Sequence, residues 1–402
     1  MNPAAGVGQP DMKKLLIVSP TPTHPQNAGS RARVFALARA LQATGHDVHF
    51  FFVRRERGDE AAMQRWWGNR YHAADYTEPP QRWAKPSMLG RVAARLAPAW
   101  RYNLPLDAWF DERVLPPLAA LQAAERFDAV LVEYVFMSRA LEAFPDPVLR
   151  LIDTHDAFAD RFRTFLDSGR EPDWFSTSRD EEARGLRRAH AVLAIQDGER
   201  QVFEQASGVP TVTVGHLVDE RCLYSEAAAS ADGARLLFVG SGNPVNVASV
   251  QHFIAKVLPR IRDRQPTARV VLAGRICQAV RPGPGLELMG ELDDLAAAYR
   301  SATLVVAPMQ FGTGLNIKVI EALGHGMPLV ATPNAVKGID TSARSFVVAE
   351  GDAAFADAVC TLALDAPELA RLSANALRHA AVWNAQQLAA LQQVFVGQAV
   401  NA

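Results

Sequence analysis

The stretch Pro308–Thr332, PMQFGTGLNIKVIEALGHGMPLVAT, decides how the chain is read. The apolar run Thr303–Ala307 feeds it, a glycine-rich loop opens it, and an amphipathic segment from Asn316 to Leu323 precedes a second apolar run. That order predicts a buried strand, a loop, a short helix and another strand. Glycine accepts dihedrals that a Cβ forbids, so Gly312 and Gly314 let the main chain approach a ligand closely. The following helix aims free N–H groups and its positive dipole end at the loop, which favours an anion such as phosphate. Lys318 falls in the first turn and Glu321 three residues later on the same face. One turn rises about 5.4 Å, so Lys318 can meet a diphosphate while Glu321 accepts hydrogen bonds from sugar hydroxyls. The same pattern also serves packing alone in many α/β domains, with the Lys/Glu pair as a solvated face.

Working upstream, the βα pattern repeats. Leu236–Val239 reads as a strand, Gly240-Ser241-Gly242 as a tight turn and Val247–Arg262 as a helix. Arg269–Ala273 is the next strand and ends at Gly274 and Arg275, where an arginine either binds phosphate or is simply exposed. Leu286–Met289 is a short strand, and Leu292–Arg300 a helix leading into the opening motif. The glycine turn at Gly240–Val245 is a weak dinucleotide signal, because the acidic partner about 20 residues on is missing. Downstream, Pro367–Val396 is helical, with Trp383 an anchor between elements.

The N-terminal half follows the same plan. Leu15–Ser19 is a continuous apolar run, as in a strand buried on both faces of a parallel sheet. A polar loop containing Gly29, Ser30 and Arg31 follows, then a helix from Arg33 to Thr44 ending at Gly45, then the strand Asp47–Val53. Ligands bind at the carboxyl ends of such strands. Arg31 and Arg33 therefore face a phosphate or polar acceptor, or else form a solvated helix start. Phe127–Glu133 and Leu149–Asp153 are further strands, and the second runs straight into Thr154, His155 and Asp156. Asp153, His155, Asp156 and Asp160 admit three readings: a role in an active cleft, a structural network with Asp156 as N-cap, or a metal cluster. Asp180–Ala189 reads as a charge-rich helix, followed by strands at Ala191–Ile195 and Thr211–Val214.

Bulk properties bound the answer. A chain of 402 residues exceeds one ordinary core. Net charge is −1, so no basic field calls for nucleic acid. Cys222, Cys277 and Cys360 form no CxxC pair, which points to a reducing compartment without a disulfide framework or zinc site. No apolar run approaches the roughly 20 residues of a membrane span. Residues 1–12 read as a disordered leader. Between Glu78 and Asp107 there is no acidic residue, while Arg82, Lys85, Arg91, Arg95 and Arg101 alternate with Trp83, Leu89, Val92, Leu96 and Trp100. That segment suits an anionic membrane surface, or a cap helix with its arginines outward.

These features resemble the GT-B glycosyltransferases, specifically their large retaining family 4. FVGSGNPVNVASVQHF at 238–253 resembles the family's strand–turn–helix opening, and the 45 residues 288–332 resemble its donor-nucleotide motif. LLIVSP, Gly29 with Arg33, GHDV and the THD element match more loosely in the N-terminal half. The resemblance implies two Rossmann-like domains facing each other across a cleft. It sets an acceptor domain at 13–218, a linker at 219–233, a donor domain at 234–378, and a C-terminal helix at 379–402 returning to the first domain. It implies that Glu321 is the second glutamate of the family's Glu-x7-Glu pair and binds ribose hydroxyls. Gly240, Ser241, Gly312, Gly314, Leu315, Asn316 and Lys318 would line the nucleotide-sugar site, with Gly29 under the diphosphate. His155 would be the active-site histidine, and Lys318 and Arg275 would stabilise the leaving group. The first glutamate of the pair is replaced by Thr313, so either backbone N–H groups of Gly314 and Leu315 hold the sugar or part of the site is lost.

The resulting expectation is an enzyme moving a sugar from a nucleotide-diphosphate sugar to a saccharide or lipid-linked hydroxyl acceptor. The family implies retention, and the absence of Asp-x-Asp agrees with metal-independent chemistry and no cofactor beyond the donor. Surface polysaccharide or glycolipid synthesis on the cytoplasmic side, in contact with an anionic membrane, fits the basic segment. The alternatives are a GT-B nucleotide-sugar epimerase and a GT-B nucleotide-binding protein whose catalysis is lost.

Overall fold

The computed structural model describes residues 12–77, 101–167, 169, 171–172, 174–226, 233–292, 294–312 and 314–396. Thr313, the leader up to residue 11, and the basic segment from Arg82 to Trp100 lie outside them. Continuous apolar runs become central strands because both faces of a parallel sheet are covered. Strand β1 (Lys14–Ser19) is buried from its second residue onward. The first sheet adds β2 (Asp47–Val53), β3 (Tyr71–Ala74), β4 (Ala129–Glu133), β5 (Leu149–Asp153), β6 (Ala191–Ala194) and β7 (Thr211–Thr213). Its order is β3-β2-β1-β4-β5-β6-β7, and every pair is parallel.

The second sheet consists of β8 (Arg235–Val239), β9 (Arg269–Ala273), β10 (Leu286–Gly290), β11 (Leu304–Ala307), β12 (Leu329–Ala331) and β13 (Val347–Val348). Its order is β10-β9-β8-β11-β12-β13, again all parallel. Strand order reverses beside β1 and beside β8, the positions where loops diverge in doubly wound folds and leave a crevice for ligand. Both Rossmann-like plans expected from the sequence are therefore present.

Contacts group the chain into two units. One holds the described residues of Met1–His24, Leu37–Val214 and Leu388–Ala402, and the other those of Pro25–Ala36 and Gly215–Gln387. In the second unit the helix Ala366–Val396 grips the chain leaving β7 through polar side chains. Gln387 Oε1 accepts from Gly215 N at 2.6 Å, and Trp383 Nε1 donates to the carbonyl of His216 at 2.7 Å. Asn384 accepts from Val218 N at 3.1 Å and donates to Val218 O at 2.8 Å. Irregular backbone thus has its hydrogen bonds met by side chains, as buried amides require.

Several local expectations are corrected. The helix expected from Arg33 begins at Gly29, and Arg31 and Arg33 are buried, not a solvated start. The helix expected over Leu292–Arg300 runs only Ala296–Arg300. Asp294 Oδ1 accepts from Ala296 N at 2.8 Å, a local bond that competes with helix. Asp156 caps no helix: its carboxylate pairs with Arg161 at 2.9 Å, and the next helix starts at Phe162.

Replacing Trp383 with Ala removes the bond to His216 and a ring that fills the space against Gly215. A loss of about 3–5 kcal/mol is expected for a buried tryptophan truncation. Urea unfolding measures it, and a loss below about 1 kcal/mol would show that the helix grip is not structural.

Candidate functional site

In the second unit the loops leaving β8 and β11 meet around one lysine. Gly274 has φ +99°, and a Cβ there would lie 2.4 Å from Gly240 O, so only glycine fits. This close approach lets Gly240 N donate to Ala273 O at 3.0 Å while Gly240 O accepts from Ile276 N at 3.1 Å. The Gly240-Ser241 turn leads to Asn243, which caps the helix Pro244–His252 by accepting from Asn246 N at 2.8 Å. Asn246 is buried, and its amide Nδ2 donates to Ser241 O at 3.2 Å. Its other end, Oδ1, accepts from Lys318 Nζ at 2.9 Å.

Lys318 stands one residue into the helix Ile317–Gly324, whose Val319, Ile320, Ala322 and Leu323 are buried against the sheet. Asn316 occupies the N-cap position, but among the described residues its side chain caps nothing. First-turn N–H groups are then left without that partner. The ammonium lies 5.5 Å from the Phe238 ring centroid and 3.8 Å from Met309 Sδ. An ammonium has three N–H donors, so one amide oxygen and one weak sulfur contact leave capacity for a ligand. Burial pulls the Lys318 pKa down to about 8, against the opposing pull of Glu321. Burial pushes Glu321 up to about 7, with Lys318 opposing. The Glu321 carboxylate makes no hydrogen bond or ion pair among the described residues. Tyr299 nearby has a buried hydroxyl with no partner, and burial, then the Glu321 charge, raises its pKa well above 10.

The structure brings together Gly240, Ser241, Lys318 and Glu321, and Val245 lies 4.0 Å from where a Cβ on Gly312 would be. Leu315 is buried and Gly314 half-buried just before the helix. Gly29, expected in a loop, is the first residue of its helix, and a Cβ on it would lie 3.2 Å from Ile317 Cδ1. Arg275 starts a 3-10 turn beside Gly242. Its buried Nε has no hydrogen-bond partner, and among the described residues nothing ties its guanidinium to Lys318 or Glu321. Thr313 lies outside the described residues. Sequence reading did not single out Asn246 or Tyr299. A lone asparagine inside a helix opening carries no signal of the lysine it will hold.

The first unit has its own cluster at the carboxyl ends of β4 and β5. His155 Nε2 bonds Glu133 Oε2 at 2.5 Å and lies 3.7 Å from Asp153 Oδ2. Both carboxylates are fully buried and the histidine side chain is 6% exposed. The bond to Glu133 fixes the ring orientation, and with Glu133 ionised it places a proton on Nε2. The Tyr134 ring stacks on the imidazole at 4.0 Å between centroids. Tyr134 and His155 both have positive φ, 71° and 61°, which is uncommon for side-chain-bearing residues and gathers at functional sites. Glu133, Asp153 and His155 offer ligand atoms within 4.8 Å of one another. This set differs from the expected Asp153, His155, Asp156 and Asp160. Asp156 turns to Arg161, and Asp160 accepts from Asn103 at 2.7 Å, while Glu133 joins from β4. Glu133 escaped sequence reading because the last residue of an apolar strand looks like its solvent-facing end.

Residues 233–365 match the family model for glycosyl transferases group 1. Sucrose-phosphate synthase from Thermosynechococcus elongatus superposes with a TM-score of 0.66 at 15% identity, covering 97% of this chain and 100% of that one. HepE of Anabaena, in complex with UDP and glucose, gives 0.60 at 15% identity, covering 93% and 98%. The pneumococcal O-GlcNAc transferase GtfA, in complex with UDP and GlcNAc, gives 0.62 at 10% identity, covering 96% and 99%. Identities this low establish the fold alone. No curated protein sequence matches the chain.

With its pKa pulled down to about 8, Lys318 is expected to acylate with a midpoint near pH 8, below the ordinary lysine range. Glu321→Gln removes the charge that raises it, so the midpoint should fall further. Peptide mass spectrometry after brief acetic anhydride pulses across pH reads this. A midpoint above pH 10, unmoved by the substitution, would contradict the buried arrangement.

Proposed function

We propose that this chain, which has the fold of the solved glycosyltransferases and matches the group 1 family model over residues 233–365, transfers a sugar from a nucleoside-diphosphate sugar to a hydroxyl acceptor. The observation that carries the reading is the pair Lys318 and Glu321 on one short helix, with Lys318 held by Asn246. Lys318 and the N-terminus of that helix receive the diphosphate, and Glu321 accepts from the ribose hydroxyls. As the glycosidic bond to the diphosphate breaks, its electron pair stays on the leaving oxygen. Fixed positive charge and N–H dipoles aimed there stabilise the charge as it develops. This arrangement supplies the stabilisation a metal would otherwise give, and it supports metal-independent chemistry. Retention is part of the same proposal and rests on the family resemblance. Bound UDP in HepE and GtfA makes a UDP-sugar the first donor to test.

His155 serves the transfer from the first unit. Glu133 and Asp153 surround its Nε2, which leaves Nδ1 for a substrate oxygen. The basic segment from Arg82 to Arg101 supports work at the anionic cytoplasmic face of a membrane, on saccharide or lipid-linked acceptors of surface polysaccharide or glycolipid synthesis. No helix of the described residues is long and apolar enough to cross a membrane.

Hydrogen bonds to a charged group contribute about 1.5–3 kcal/mol each. Glu321→Ala is therefore expected to weaken UDP binding by roughly tenfold or more, measured by calorimetry. An affinity within twofold of the parent would remove Glu321 from the donor site. His155→Ala should cut turnover of the donor by about a hundredfold, as for loss of a positioned acid or base, with UDP affinity unchanged. Equal losses in both would assign His155 to folding.

A further inference from the structure

Arg54 and Arg55 leave the end of β2 side by side with opposite fates. Arg54 donates to both oxygens of Glu60 at 2.8 and 3.0 Å and to Asp75 at 3.0 Å. The Arg55 side chain makes no hydrogen bond or ion pair among the described residues, and its Nε is shut away from solvent without an acceptor. Aromatic rings surround it instead. Its guanidinium carbon lies 4.1 Å from the Trp109 ring centroid, 5.5 Å from Trp174, 5.7 Å from Phe136 and 6.0 Å from Tyr76. Trp109, Trp174 and Tyr76 are only partly buried, so the box keeps a face at the surface.

Cation–π contacts contribute about 0.5–2 kcal/mol, but they leave the N–H donors unmet. A buried donor without a partner costs about 1–3 kcal/mol. A salt bridge would satisfy this arginine as it satisfies Arg54, yet no carboxylate among the described residues supplies one. The five-donor fork of a guanidinium matches one kind of partner best, a carboxylate or phosphate gripped at two points.

The box also runs on to the histidine. Phe136 stacks on Tyr134 at 5.0 Å and 18°, and Tyr134 stacks on His155 at 4.0 Å and 11°. Arg55, Tyr134 and His155 stand within two residues of the carboxyl ends of β2, β4 and β5, so all three lie on the ligand-binding edge of the first sheet. Phe136 and Tyr134 are buried in that row, so a ligand meets the partly buried Trp109, Trp174 and Tyr76 rings, and these with the cation beside them have the chemistry of a sugar-acid or sugar-phosphate site. Ring faces cover the apolar face of a pyranose, and the guanidinium takes the anion.

We propose that Arg55 and its aromatic box form an acceptor subsite for an anionic group, phosphate or carboxylate, borne by a sugar that stacks on the partly buried Trp109, Trp174 and Tyr76 rings. The purpose of the subsite rests on the transferase reading, whereas its binding does not. The test uses the full chain, with Trp109 and Trp174 as fluorescence reporters. It is titrated with glucose 6-phosphate, glucuronate and neutral methyl glucoside. A saturable change with at least one anion, and none with methyl glucoside at the same concentration, is expected, and the stronger anion identifies the group. Arg55→Gln should weaken that response at least tenfold. Arg55→Lys, which keeps the charge but loses the fork, should fall between, and it decides the matter if the glutamine variant does not fold. Equal responses to neutral and anionic sugars, no response to either anion, or an unaltered affinity in both variants would overturn the proposal. A parent protein that answers to the anion but not to UDP would overturn the donor-site reading and leave this one standing.

Discussion

The hydrogen bond from Lys318 Nζ to Asn246 Oδ1 ties together the two loops that leave the middle of the second sheet. Several features of that unit make the bond possible. The bare Cα of Gly274 lets the β9 loop sit on Gly240. The cap from Asn243 fixes the start of the helix that carries Asn246. The apolar face of the helix after β11 seats Lys318 over Phe238. A cation placed there is desolvated, which lowers its pKa and leaves it under-satisfied, and a diphosphate relieves both conditions. Glu321 on the same face is raised toward neutrality by the same burial. The two groups are mutually opposed in charge, yet neither saturates the other with a short ion pair. A site held open in this way is pre-organised for a ligand that brings both anionic oxygens and hydroxyl donors.

The first unit uses a different device. Two buried carboxylates and one imidazole would repel or distort if left to themselves, and the Glu133–His155 bond organises them. Tyr134 and His155, one and two residues past the ends of β4 and β5, both adopt positive φ. The stacked pair is then continuous with the rings around Arg55.

The sequence was legible where a residue's role is local. Strands buried on both faces appear as unbroken apolar runs, and both sheets follow from them. The glycine loop with Lys318 and Glu321 was visible because three-residue spacing on a helix fixes a common face. Long-range pairings were not visible. Asn246 and Lys318 are 72 residues apart, and no local pattern links an amide to a distant ammonium. Glu133 looked like a strand end, and nothing in the local sequence marked out Arg55. Its separation from Arg54 depends on which one reaches Glu60. Helix starts were misread at Gly29 and Asp294, where backbone position and an Asx-type bond override periodicity.

The central claim is that the Gly240–Asn246 turn and the Gly312–Glu321 loop and helix form one nucleotide-binding element. Amide hydrogen exchange with and without UDP tests it most directly, because ligand that binds the folded site suppresses local opening there. Slowed exchange is predicted in peptides covering 240–246 and 312–321, with the 127–160 region unaltered by UDP alone. Protection confined to the first unit, or no protection in either segment at saturating UDP, would contradict the account.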